Sequence, residues 1–195
     1  MSFVNYDETP PTSPNRGPQN VEYVRIDLGQ SALLRPIGAP FEYYKHWRPI
    51  SAISPGRDTD VCWQSGHAPQ RRFALRCLDR RTGRPAVWCI PEHIYWRLCA
   101  WAQEHKADPG GRQGVDWLVT CRGTGDRTEW QVDPQAYRAY TDDEKAMLKP
   151  WYDATDLAKL FAPDSAERIA ELYAEACEHP EGPVPGSTRW QEARR

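Results

Sequence analysis

The chain has 195 residues, 39% hydrophobic and 27% charged, with a formal net charge of −2, proportions ordinary for a globular protein with a real core. No apolar run approaches the roughly 18 residues of a membrane span. Met1-Ser2-Phe3-Val4-Asn5 lacks the basic and apolar regions of a signal peptide, so a soluble, cytoplasmic protein with no membrane partner is expected.

The charge is uneven. Residues 21–138 carry 17 Lys and Arg against 13 Asp and Glu, whereas residues 139–195 carry 7 against 12. A basic body can bind phosphates while an acidic appendage lowers the net charge.

Residues 1–20 hold Pro10, Pro11, Pro14 and Pro18 among polar residues and read as a disordered arm. Extended segments are expected at 21–28, 33–37 and 42–53, the last aromatic-rich in Tyr43-Tyr44-Lys45-His46-Trp47-Arg48. Ser54-Pro55-Gly56-Arg57 is a turn and residues 58–71 a loop. Arg72 to Asp79 alternates apolar with small or charged residues, the period of a half-buried strand. Arg80-Arg81-Thr82-Gly83-Arg84 then turns into a second strand, 85–90.

Pro91 opens a helix with Ile94, Leu98 and Trp101 at helical spacing, ending before Asp108-Pro109-Gly110-Gly111. Strands at 115–122 and 128–132 follow. The order strand, strand, strand, helix, strand, strand is that of an OB-fold, so the expected class is mainly β: a five-stranded Greek-key barrel over 21–138, with a helix between strands 3 and 4. Residues 139–178 read as an acidic helical appendage. Thr141 and Glu144 make a capping box, and Ile169, Leu172, Tyr173 and Ala176 form one apolar stripe. Residues 179–195 read as a disordered tail.

Val87 to Pro134 resembles the single-stranded DNA-binding proteins of tailed bacteriophages, the T4-type helix-destabilising group. The resembling pieces are Val87-Trp88-Cys89-Ile90-Pro91-Glu92-His93-Ile94-Tyr95, and a hairpin that runs from Val115 through Arg122-Gly123-Thr124-Gly125 to Thr128-Glu129-Trp130-Gln131-Val132-Asp133-Pro134. The resemblance implies an OB barrel that coats single strands without sequence preference, in replication, recombination or repair. It also implies partners among replication or recombination proteins, reached through the acidic region.

Sequence-independent strand binding needs cations for phosphates and rings for bases. Lys45, Arg48 and Arg57 interleave with Tyr43, Tyr44 and Trp47, while Arg71, Arg72, Arg76, Arg80, Arg81 and Arg84 surround Trp63, Phe73 and Trp88. Beside this stands the plainer reading, in which most of these rings pack in the core and the arginines line a solvated face.

The six cysteines include no Cys-x-x-Cys pair and read mostly as buried reduced thiols. Cys62, His67, Cys77 and Cys89 form a weak zinc set, matching the region where some phage relatives carry zinc; the first expectation is no cofactor. No Walker loop, Gly-x-Ser-x-Gly or His-Glu-x-x-His occurs, so no enzyme is expected. Asp58 and Asp60 read as solvated loop acids. The alternative function is an OB-type structural or adaptor subunit that binds protein partners.

Overall fold

The computed structural model describes residues 21–124 and 127–180; the expected arm at 1–20 and nearly all of the expected tail at 179–195 lie outside them. The described chain divides into two compact units that interleave in sequence. The first holds residues 21–41 and 73–156, the second 42–72 and 157–180.

The first unit is built on a sheet. Its strands are the start of β1 (Ser31–His46), most of β3 (Gln70–Asp79), β4 (Arg84–Pro91), β5 (Trp117–Thr124) and β6 (Arg127–Pro134), in the order β4-β3-β1-β5-β6. Three successive strands lie side by side and the fourth returns beside the first, a Greek key, and β6 pairs antiparallel with β5 from Trp117↔Pro134 to Thr124↔Arg127. β1 pairs β5 from Ser31↔Thr120 to Leu34↔Trp117.

The period of two decides what each face carries. Ala32 and Leu34 of β1, Phe73, Leu75 and Cys77 of β3, Ala86, Trp88 and Ile90 of β4, and Trp117, Val119 and Cys121 of β5 form one buried core. Helix α2 (Glu92–His105) closes it with Ile94, Leu98 and Trp101, the spacing read from the sequence. α2 ends in a left-handed Lys106, and the following loop brings Gly110 against the backbone of Gly38, too close for a Cβ.

The sheet is open, where a barrel was expected. Its path ends at β4 and β6. The outer edge of β4 is instead met by the segment before β1, through a parallel bridge of Tyr23 with Val87 and the bonds Val24 N–H to Val87 O (2.9 Å) and Val87 N–H to Glu22 O (2.8 Å). The fold is also mixed α/β, not mainly β. Helices α3 (Asp142–Ala154) and α5 (Ala166–Glu178), 13 residues each, nearly match α2 in length.

The second unit takes the end of β1, β2 (Ala52–Ile53), α1 (Val61–Gln64), the start of β3, α4 (Leu157–Leu160) and α5. β2 pairs β1 at Lys45↔Ile53 and His46↔Ala52. The expected loop 58–71 is thus partly helical. Asp60 caps α1 by accepting from the Trp63 N–H. Ile50, Ala52 and Cys62 pack with Ile169, Leu172 and Ala176 of α5 into a core of their own.

Candidate functional site

The arginines expected to form a binding cluster fall into two groups. Exposed positions are held by Arg48, Arg57 and Arg84. The others are committed to intramolecular contacts. Arg71 forks onto Glu42 with bonds of 2.9 and 2.7 Å, holding that carboxyl below its usual range. Arg81 bonds Asp79 at 3.0 Å, and Arg72 is buried with its guanidinium 5.7 Å from the Trp47 ring.

Arg76 lies on β3 and Arg80 just past its end, two periods on, both away from the core face that Phe73, Leu75 and Cys77 supply. Arg76 donates to the Thr155 carbonyl at 2.9 and 2.6 Å and sits 4.4 Å from the Tyr152 ring. Arg80 bonds Asp116 (3.1 Å) and Glu144, and lies 5.3 Å from the Tyr140 ring. Burial disfavours its charge, but Glu144 and Asp116 outweigh that and raise its pKa. Arg35 of β1 joins this face, fully buried, 5.2 Å from Tyr140 and 5.6 Å from Tyr137. Sequence reading missed Arg35, Tyr137, Tyr140 and Tyr152. The available signal was the aromatic residues scattered through an acidic segment, complementary to arginines alternating on strands.

The aromatic candidates divide similarly. Phe73 and Trp88 are core, and Phe73 stacks on Tyr95 at 3.8 Å. Tyr43 is buried against Phe161 at 4.5 Å. Lys45 is buried with its ammonium 3.6 Å from the centre of the half-buried Trp47 ring. Tyr44 and Trp63 are half-buried, 5.7 Å apart, on the second unit.

The densest chemical cluster lies in that unit. His46 Nε2 is 2.8 Å from Asp60 Oδ2, the Ser54 hydroxyl donates to the same oxygen, and the Trp63 N–H reaches Oδ1 at 3.0 Å. Cys62 Sγ lies 3.7 Å from His46 Nδ1. A carboxylate only accepts, so His46 Nε2 donates to Asp60. Burial opposes the Asp60 charge, but the bonds from Ser54, His46 and Trp63 hold its pKa below the ordinary value. Burial, with Asp60 and Cys177 nearby, pushes the Cys62 thiol up to about 12. Asp60 is therefore no solvated loop acid, whereas Asp58 is exposed.

These residue types match a Cys-His-Asp nucleophile system, but a protonated, fully buried thiol is not an activated nucleophile. They also include the donor types zinc takes, and His46, Asp60 and Cys62 are the one such group of three among the described residues. With metal–ligand bonds near 2.0 Å, tetrahedral ligands stand about 3.3 Å apart. The 2.8 Å between His46 and Asp60 is a hydrogen-bond spacing, so as arranged the atoms do not fit a metal until those two part. Of the sequence-derived set, Cys62 alone belongs to that group. Cys62 and His67 belong to the second unit, Cys77 and Cys89 to the first. All six cysteines are free thiols: Cys62, Cys77 and Cys121 buried, Cys89 and Cys99 half-buried, Cys177 exposed. No described helix is long and apolar enough to cross a membrane.

In comparisons with known proteins, no family model, no curated protein and no solved structure matches the chain.

Proposed function

We propose that the protein binds single-stranded DNA without sequence preference, through an OB-type sheet and its adjoining loops, and performs no chemistry on it. The observation that carries this reading is topological. The order β4-β3-β1-β5-β6, with α2 between β4 and β5, is a Greek key whose ends β4 and β6 would meet if the sheet closed, and OB barrels are often only partly closed. Arg48 and Arg57 are exposed cations and Tyr44 and Trp63 half-buried rings, all in the second unit, the two kinds of group a single strand needs for its phosphates and bases. Capture of this kind shields a strand and presents it to replication, recombination or repair enzymes.

A gel shift with single-stranded and duplex DNA, repeated across salt, tests it. Tighter binding to the single strand is expected, with log affinity falling by about 0.7 per phosphate contact for each log unit of salt. Equal or tighter duplex binding would sink the reading. A second reading, an adaptor subunit for protein partners, is favoured by the intramolecular engagement of Arg71, Arg76, Arg80 and Arg81. It predicts no steep salt dependence of DNA binding, because no strand is held.

A further inference from the structure

We propose that the sheet face bearing Arg35, Arg76 and Arg80 is a second single-strand binding face, kept shut by residues 137–155 and opened when a strand displaces them. This rests on the single-strand reading above and adds a site and its control.

The covering segment offers the same chemistry as a single strand. Nucleic acid presents aromatic faces and anionic oxygens, and arginine takes both. From the cover, Arg35 meets the Tyr137 and Tyr140 rings, Arg80 the Tyr140 ring and Glu144, and Arg76 the Tyr152 ring and the Thr155 carbonyl, while Asp116, which stands near Arg35 and Arg80, lies outside the cover, just before β5. Tyrosines stand where bases would stack, and Glu144 where a phosphate would lie.

The cover is also incomplete. Arg35 is fully buried, yet its Nε and Nη1 have no hydrogen-bond acceptor. Its Nη2 reaches the Gly111 and Arg112 carbonyls only at 3.5 and 3.4 Å, and Asp116 stands 3.8 Å from Nη1. Unmet donors on a buried cation are costly, and phosphate oxygens would satisfy them. The cover is lightly anchored by apolar packing, since Leu148 is the buried residue of α3. What holds it is chiefly cation–π and ionic, the forces a polyanion competes for.

Hydrogen exchange of the full chain, with and without oligothymidylate, reads the displacement directly. Amides of α3 should exchange severalfold faster in the complex while those of α5 do not. In parallel, Glu144→Gln should raise affinity at low salt by about threefold to tenfold, the effect of one weakened charge-assisted hydrogen bond to Arg80, and adding Arg76→Gln should cancel the gain. Absence of binding by both wild type and Glu144→Gln defeats the single-strand reading itself. Binding by the wild type with α3 amides unchanged or protected leaves that reading standing and overturns the shut face. If Glu144→Gln does not fold, the wild-type exchange experiment decides alone. Exposure of α3 by a protein partner but not by oligothymidylate also overturns it, because the face then serves another ligand.

Discussion

Helices α3 and α5 differ less in sequence than in what holds them. Each has 13 residues, an acidic first turn and a hydroxyl cap, Thr141 or Ser165. Yet α5 inserts Ile169, Leu172 and Ala176 into the core of the second unit, whereas α3 buries Leu148 alone and lies under Arg35, Arg76 and Arg80 through its own and neighbouring tyrosines. Two stretches of one acidic tail therefore belong to different physics. Apolar burial is not weakened by ionic screening and fixes a fold, while ring–cation and ionic contacts are screened, exchangeable and suited to a segment that moves.

The widest separation between them should come from the core. Leu172→Ala removes a nearly fully buried side chain, and a loss of about 2–5 kcal/mol is expected. Urea unfolding should show it equally at low and high salt. A salt-dependent loss would mean that α5 is held as α3 is. Deleting residues 139–195 removes the α5 side of that core and should unfold the second unit outright, seen as lost dispersion in its NMR signals.

Asp60 organises the loop that delivers Cys62 to α5. Replacing it by Asn weakens its bonds to Ser54 and His46 and should cost about 1–3 kcal/mol. The sign of its pH dependence follows from a folded pKa that is lowered. The stabilisation is complete above the unfolded value of about 3.9 and is lost as pH falls through the folded one. Acid titration of unfolding should therefore show wild type and Asp60→Asn converging below about pH 4. A constant gap down to the lowest pH would show that the charge of Asp60 contributes nothing.

Tyr152→Ala removes the ring beside Arg76 and the contact over Gly38, where a Cβ would stand 2.6 Å from the tyrosine hydroxyl. A cost of about 0.5–2 kcal/mol is expected. It should appear as faster proteolysis or exchange confined to α3, with α5 unaffected. Equal loosening of both helices would break the distinction.

The smallest effect is expected at Arg71→Ala. Its partner Glu42 and its own side chain are about a third exposed, so the fork is worth at most about 1 kcal/mol. Thermal unfolding in low and high salt should show a small difference that shrinks with screening.

Sequence pattern determined a good deal here. The helical spacing of Ile94, Leu98 and Trp101, the Thr141 capping box and the Ile169–Leu172–Ala176 stripe all appear as read, because each is a local periodicity or a local hydrogen bond, whereas Arg72 to Asp79 is a strand as read but buried on both faces, not half-buried. The succession of elements about α2 was equally legible. Tertiary structure alone decided what the second face of the sheet meets. Alternation says that Arg76 and Arg80 point away from the core, but not whether water, a nucleic acid or residues 137–155 lies there. It also decided that β4 pairs with the segment before β1, leaving the sheet open. His46 and Asp60 sit 14 residues apart in sequence and share no motif spacing. Only the turn of β1 into β2 and α1 brings them together, and burial, which no local pattern records, turns an apparently ordinary loop acid into the centre of a network.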